Sequence, residues 1–237
     1  SDIPDQWGNN WQELDEIVKF DPAAGTCEVL PVALPLTNED TNAVWDPVNK
    51  CAYILGGAGF TGEYNPDDGN PIHGSDKIVK FDPAAGTCEM LSVTLPDINI
   101  RPSGTVWDTV NKCVYMLGGM NRNYDEYADI FKFDPFAGTC ETIAVSQPYA
   151  TGRNSGVWDP IFNCAYTFGD GAEWPYADWI FKYDTAKETC VTLSEPLPLG
   201  AEYVNSVWDT ENNCVYALCG EGNGNIALIK NVTKMEA

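Results

Sequence analysis

The sequence predicts an all-β fold, a β-propeller with four blades of four antiparallel strands each. Three observations lead to this prediction. The chain repeats itself with a period of about 50 residues, which is typical of a repeat architecture. Its apolar runs are short, rich in Val, Ile, Tyr and Phe, and separated by turn-forming residues. No stretch of the chain holds the periodicity of an amphipathic helix.

The first repeated element is a Val-Trp-Asp triplet followed a few residues later by Cys-x-Tyr. Its Asp side chain can accept hydrogen bonds from backbone N–H groups ahead of it, and Pro, Asn or Gly suits the turn. The element therefore predicts a hairpin between the first and second strands of each blade. The four triplets are Val44-Trp45-Asp46, Val106-Trp107-Asp108, Val157-Trp158-Asp159 and Val207-Trp208-Asp209.

The four tryptophans of this element lie on the innermost strands, next to the turn. One identical residue in every blade is what packing between blades requires, so we expect these side chains to pack between blades. The other interpretation is an aromatic ring that lines one mouth of the central channel.

The second repeated element has the form Ile-x-Lys-aromatic-Asp and runs into another cysteine. It predicts the third and fourth strands of each blade. Four antiparallel strands per repeat, arranged radially, make a propeller blade. The element begins at Ile17, Ile78, Ile130 and Ile180, and its cysteines are Cys27, Cys88, Cys140 and Cys190.

The second strands resemble those of the kelch repeat, in which a tyrosine precedes a Gly-Gly doublet. The resemblance covers roughly residues 16 to 230 and implies a β-propeller. In place of the fourth-strand tryptophan of kelch, every unit here has a cysteine. The doublet is intact in two units and degraded in two: Gly56-Gly57, Gly118-Gly119, Gly169-Asp170 and Cys219-Gly220.

The repeats predict a single domain over residues 1–237, with complete blades at about 41–93, 103–145 and 154–195. The last unit, 203–230, has first and second strands, and residues 15–31 supply a third and a fourth. We expect 15–31 to complete this fourth blade and close the ring. The tail at 226–231 competes for the same place. If the tail takes it, the N-terminal hairpin is free to complete a neighbouring molecule, which gives a homo-oligomer or a filament.

The charge of the chain excludes several partners. Its formal net charge is −22, with 13 Lys and Arg residues against 35 Asp and Glu. A polyanion repels DNA, RNA and anionic lipid surfaces, so we expect no nucleic-acid partner. No apolar run approaches the length of about 18 residues that spans a bilayer, so we expect no membrane span.

Nine cysteines are many for a cytosolic protein, and eight of them occupy matched positions in the repeats. Two cysteines of one blade would lie two strand spacings apart, about 9.6 Å, which exceeds the limit of about 7 Å for a disulfide. We therefore expect disulfides between blades. The alternative is that free thiols fill gaps between blades. The expected pairs are Cys27–Cys51, Cys88–Cys113, Cys140–Cys164 and Cys190–Cys214.

Disulfides favour an extracellular, secreted protein. In that location Asn231, in the sequon Asn231-Val232-Thr233, is a candidate glycosylation site. Asp67 and Asp68 are candidate calcium ligands, although their run lacks a regular donor pattern. No other cofactor is expected.

The connections between second and third strands break the repeat, and they share the face opposite the Asp-containing hairpins. Variable loops on a constant scaffold are where binding usually occurs. Exposed aromatic side chains suit both sugar rings and protein partners. We expect these loops to bind through Trp7, Trp11, Phe60, Tyr64, Tyr124, Tyr127, Trp174 and Tyr176.

The leading hypothesis is a secreted, non-enzymatic β-propeller that binds a protein or a glycan through these loops, or acts as a scaffold. The first alternative is a structural subunit of an extracellular polymer, assembled by strand exchange through the N-terminal hairpin or the C-terminal tail. The second alternative is a glycoside hydrolase with a pair of carboxylates, but the spacing singles out no catalytic residue.

Overall fold

A computed structural model describes residues 14–37, 40–57, 60–64, 71–73, 75–97, 101–121, 125–169, 177–198, 200–218, 220–222 and 235–236. Every regular element in these ranges is a β-strand, which confirms the all-β prediction. The same ranges contain no helix with the length and apolarity to cross a bilayer.

The strands are short, and most of them carry the two repeated elements. In chain order they are β1 (Glu16–Asp21), β2 (Thr26–Ala33), β3 (Asn42–Asp46), β4 (Cys51–Leu55), β5 (Phe60–Tyr64), β6 (Pro71–His73), β7 (Lys77–Asp82), β8 (Thr87–Thr94), β9 (Arg101–Pro102), β10 (Thr105–Asp108), β11 (Cys113–Leu117), β12 (Gly119–Met120), β13 (Tyr127–Asp134), β14 (Thr139–Thr151), β15 (Ser155–Asp159), β16 (Cys164–Phe168), β17 (Ile180–Asp184), β18 (Thr189–Thr192), β19 (Ala201–Glu202), β20 (Asn205–Asp209), β21 (Cys214–Leu218), β22 (Glu221–Gly222) and β23 (Met235–Glu236).

Three sheets have four strands in the order in which the chain runs, each antiparallel to the next. We call them sheet 1 (β3-β4-β7-β8), sheet 2 (β10-β11-β13-β14) and sheet 3 (β15-β16-β17-β18). Sheet 4 has three strands in the order β20-β21-β23. Three two-stranded pairs lie beside these sheets in the connections: β5-β6, β9-β12 and β19-β22.

Both kinds of hairpin are closed by the aspartate that the sequence singled out. Asp46 Oδ1 accepts hydrogen bonds from the N–H groups of Val48 and Asn49, at 2.8 and 3.1 Å. The Asn49 amide also donates to Asp46 Oδ2 at 2.7 Å. The same bonds from N–H groups two and three residues ahead recur at Asp21, Asp82, Asp108, Asp134, Asp159, Asp184 and Asp209.

Consecutive sheets stack side by side, and the repeated tryptophan of one sheet packs on the sheet before it. Trp107 of sheet 2 lies in one apolar cluster with Cys51 and Tyr53 of sheet 1. Trp158 of sheet 3 packs on sheet 2 in the same way, and its indole N–H donates to Thr109 Oγ1 at 3.0 Å. Trp107 and Trp158 therefore pack between sheets, as the sequence predicted, whereas Trp45 of sheet 1 is exposed.

Other aromatic side chains extend the same stacking outward. The ring of Tyr53 in sheet 1 meets Phe133 of sheet 2 edge to face, with centroids 5.1 Å apart. Tyr115 of sheet 2 meets Tyr183 of sheet 3 at 5.3 Å. Inner strands β3, β10, β15 and β20 lie side by side in that order, so sheets 1 to 4 form one continuous array.

The N-terminal hairpin differs from its prediction. Residues 15–31 were expected to complete the last blade, but among the described strands β1 pairs with β2 alone, and β21 pairs with β20 and β23. Pairing of β23 with β21 closes a much shorter loop than pairing of β1 with β21 would close. Less chain entropy is therefore lost when β23 is the partner. The competing tail was predicted at 226–231, which lies outside the described residues.

Glycine is required in the Gly118-Gly119 doublet because another strand passes close to it. Gly118 has φ +79°, a left-handed conformation. A Cβ at this position would contact the Thr151 hydroxyl and lie 2.6 Å from the Thr151 carbonyl oxygen. By contrast, Gly86, in the β7–β8 hairpin, has φ +64° but no atom within 4 Å of such a Cβ.

We expect Gly118→Ala to lower the free energy of unfolding by about 2 to 4 kcal/mol, because it adds a clash to left-handed strain. Gly86→Ala, the matched control, adds strain alone and should cost about 1 kcal/mol. Urea unfolding of both variants measures the difference. Equal losses would show that the close approach of Thr151 does not constrain the doublet.

Candidate functional site

A cavity of about 420 Å³ lies where the segments that precede the four inner strands meet. Each sheet contributes to its wall, which includes residues 40–42, 101–103, 152–154 and 203–205, together with Met120. The Asp-containing hairpins lie at the other end of the strands. The cavity therefore opens on the face that the sequence analysis predicted for binding.

Hydrogen bonds join each sheet to the next around this cavity. The Asn42 amide of sheet 1 donates to the Pro102 carbonyl oxygen, next to sheet 2. Ser155 and Ser206, on the inner strands of sheets 3 and 4, are linked by their hydroxyls at 2.7 Å. The wall is therefore held by the scaffold and is largely formed before any ligand arrives.

A buried polar network ties sheet 2 to sheet 3 beneath the wall. Asn154 is buried, and its amide donates to Thr151 Oγ1 at 2.6 Å and to the Leu117 carbonyl oxygen at 3.2 Å. Gln147 bridges Thr151 and Thr167. Within the described part of the chain, Asn154 Oδ1 has no hydrogen-bond donor, which leaves a buried acceptor in a residue of the wall.

Two of the three arginines of the chain lie in the wall of this cavity. The Arg101 guanidinium is largely buried and lies 2.8 Å from Asp40 Oδ2. The guanidinium carbon of Arg153 lies 5.3 Å from the centroid of the Tyr203 ring. The whole chain has three arginines, at 101, 122 and 153, against a net charge of −22. Guanidinium groups are planar donors suited to oxygen acceptors.

The repeats differ in sequence at the wall. Five residues before the repeated tryptophan stand Asp40, Pro102, Arg153 and Tyr203. The tryptophan and the aspartate that follows it are the same in all four units. The cavity is therefore lined by side chains that differ from one repeat to the next, as is usual for binding sites on a constant scaffold.

Most residues predicted to bind are not placed by the structure. Phe60 and Tyr64 lie in β5, where their backbones pair with His73 and Pro71. The remaining binding candidates, the calcium candidates and the glycosylation candidate lie outside the described residues: Trp7, Trp11, Tyr124, Trp174, Tyr176, Asp67, Asp68 and Asn231.

Tyr127 is placed, and it packs between sheets rather than lining the cavity. Its hydroxyl donates to Asp97 Oδ2 at 3.2 Å, and its ring meets Phe131 edge to face at 6.3 Å. Burial, with the Asp97 charge beside it, raises the pKa of Tyr127 to about 12.

Sequence reasoning missed Arg101 and Arg153, and a usable signal existed. All three arginines fall between residues 101 and 153, and two of them lie within four residues of the start of an inner strand. The position of these arginines in the repeat, just before the repeated tryptophan, is a signal that their number and total charge do not carry.

The predicted disulfides are absent. Cys27, Cys51, Cys88, Cys113, Cys140, Cys164, Cys190 and Cys214 are all free thiols. Cys140 of sheet 2 packs against the cluster that holds Cys51 of sheet 1, and Cys190 of sheet 3 packs against the cluster that holds Cys113 of sheet 2.

The predicted pairs therefore took the wrong direction along the array. A fourth-strand cysteine faces the sheet before its own, whereas the prediction joined it to the sheet after. The thiols fill apolar gaps between sheets, which was the alternative interpretation. Among the residues with a described position, no group of three or more His, Cys, Asp or Glu side chains is arranged to hold a metal ion.

Comparison with known proteins supports the fold and leaves the family open. No family model and no curated protein sequence matches the chain. The solved structure titled "Structure of YjhT" matches it with a TM-score of 0.66 and 14% sequence identity, over 89% of this chain and 70% of that one. YjhT has a β-propeller-like fold, so the chain is similar to such a fold.

Burial between sheets raises the pKa of the Cys113 thiol to about 11 and that of Cys140 and Cys190 to about 12. An unfolded thiol has a pKa of about 8.5, so the unfolded chain loses these protons first as the pH rises. The contribution of these buried thiols to the free energy of unfolding is fully present below about pH 8.5. It decreases as the pH rises from there toward the pKa values of the folded chain.

We therefore expect the melting temperature to be nearly constant from pH 7 to 8 and to fall steadily from about pH 8.5 to 11. Thermal unfolding followed by circular dichroism measures it. Cys140→Ala should reduce the slope, since one of the titrating thiols is gone. A melting temperature that stays constant up to pH 11 would contradict the burial of these thiols.

Proposed function

We propose that the chain is a β-propeller module whose sheets 1 to 4 are its blades, and that it binds a glycan without catalysis through the cavity on the face opposite the Asp-containing hairpins. The observation that carries the proposal is the convergence of four non-identical segments on one cavity in an otherwise repetitive scaffold. The similarity to a β-propeller-like structure supports the blades.

The chemistry of the wall favours a glycan. Guanidinium and amide donors come from Arg101, Arg153 and Asn205, and Tyr203 adds an aromatic side chain. Sugar rings present hydroxyl oxygens to such donors and C–H faces to aromatic rings. A cavity of about 420 Å³ also lies within the usual range for small-molecule sites.

The wall offers less to the rival functions. A glycoside hydrolase needs two carboxylates that flank the scissile bond. In the described part of the wall the carboxylate is Asp40, which already pairs with Arg101 at 2.8 Å. A protein partner remains an outcome of the test below. The kelch relationship, secretion and glycosylation at Asn231 stay predictions. Secretion was predicted from disulfides, and the free thiols do not support that prediction.

We expect Arg153→Gln to weaken glycan binding by about 10- to 100-fold, the usual loss when a charged hydrogen-bond donor is removed. A glycan array identifies the ligand for the unaltered chain, and titration calorimetry gives both dissociation constants. Lys187→Gln is the matched control: it removes the same charge from an exposed hairpin on the opposite face, where Lys187 pairs with Asp184.

The control should bind as the unaltered chain does. Equal affinities for Arg153→Gln and the unaltered chain would place the site elsewhere. If the unaltered chain retains no glycan of the array, the ligand class is wrong and a protein partner becomes the better proposal.

A further inference from the structure

The N-terminal end of the sheet array has an open apolar face. Trp45 of sheet 1 is 49% exposed, whereas Trp107 at the same position of sheet 2 is 7% exposed. On the hairpin β1–β2, Phe20 is 62% exposed, whereas its counterpart Phe133 is completely buried. Both side chains are of the kind that is buried in the other sheets, but here no preceding sheet covers them.

The C-terminal end has the opposite face open. Val207 of sheet 4 is 48% exposed, whereas its counterpart Val157 is 6% exposed. Leu218 is also exposed, although Leu55, Leu117 and Phe168 at the same position are fully buried. β23 pairs only with Cys214 and Val215, so most of the edge of β21 has no neighbour among the described strands.

The two open ends match in register. In sheet 1, Ile78 of the third strand pairs with Leu55 and Val79 pairs with Ile54. β1 repeats that third strand, with Ile17-Val18-Lys19-Phe20-Asp21, and β21 repeats the second strand, with Cys214-Val215-Tyr216-Ala217-Leu218. The same register would set Ile17 beside Leu218 and Lys19 beside Tyr216.

The inner strands match as well. In the pair of sheets 2 and 3, the Trp158 indole donates to Thr109, the residue that follows the Asp108 turn. Sheets 1 and 3 have Pro47 and Pro160 at that position, but sheet 4 has Thr210, which is exposed. Sheet 4 therefore carries the acceptor that Trp45 would need if sheet 4 stood before sheet 1.

Within the described part of the chain, the hairpin β1–β2 and sheet 4 are not packed on each other as neighbouring sheets are. β2 lies against β8, on the outer side of sheet 1, and no contact comparable to that of β15 with β20 joins β20 back to β3. A two-stranded hairpin is marginally stable by itself in water. The two ends of the array are therefore complementary to each other, but they are not paired within the described part of their own chain.

We propose that the two ends join between copies of this chain: the hairpin β1–β2 of one molecule pairs with β21 of a second and displaces β23, and Trp45 packs beside Thr210. The contact is head to tail, so it closes into a ring if the rotation allows and otherwise extends as a filament. This inference is independent of the glycan proposal.

Two variants separate the two faces. Val18→Asp with Phe20→Asp disables the hairpin, and Val207→Asp with Leu218→Asp disables sheet 4. All four positions are exposed in the single chain, so the changes should leave its fold intact. Val29→Asp is the matched control, because Val29 is 62% exposed and its counterpart Met90 is also exposed within a complete sheet.

Light scattering after size exclusion gives the masses. We expect the unaltered chain and Val29→Asp to form species heavier than 26.0 kDa whose share rises with concentration, and each double variant alone to remain at 26.0 kDa. Mixed in equal amounts, the two double variants should form a dimer of twice that mass, because one intact hairpin meets one intact sheet 4. The dimer has no intact pair left for growth.

An unaltered chain that stays at 26.0 kDa at every concentration would overturn the proposal and favour closure within one chain. Double variants that assemble like the unaltered chain, or a mixture that remains monomeric, would overturn it too. Unchanged far-ultraviolet circular dichroism of each variant verifies that a monomer is a folded one.

Discussion

Side-by-side packing of neighbouring sheets is the constraint on which this molecule depends. Each sheet is too narrow to bury its own apolar faces, so one face carries a tryptophan toward the sheet before it and the other carries aliphatic residues toward the sheet after it. The aspartates at the turns cap each inner hairpin and fix where it ends. The cavity follows from this packing, since the starts of the inner strands must converge where the sheets lie closest.

The scaffold was predictable from the sequence because its physical demands recur. Each repeat carries a capped turn, a tryptophan on the inner strand and an aromatic on the third strand, and each of these leaves the same type of residue at the same place. The four aspartates of the inner hairpins were correctly interpreted as turn caps. The strand order within sheets 1 to 3 follows from the same repeat.

The sequence does not show whether a repeated residue faces the sheet before its own or the sheet after it. Cys140 and Cys190 were paired in the wrong direction because the period is the same toward either side, and only the handedness of stacking decides it. The cavity was missed for the opposite reason. Arg101, Arg153 and Tyr203 line it, but they do not recur from one repeat to the next, so a search for repeated motifs does not find them. Tyr127 was included as a loop aromatic, yet β13 begins at that residue and draws it into the packing.

The near identity of β1 and β7 also bears on how the chain folds. Both read Ile-Val-Lys-Phe-Asp, so during folding either strand fits the second strand of any unit almost equally well. Sequence preference then discriminates poorly between correct and shuffled sheets, and the connection lengths must select the partner through the entropy of closing each loop. Shuffled pairings should accordingly be the characteristic kinetic traps of this polypeptide, in keeping with the general tendency of repeat proteins to misassemble.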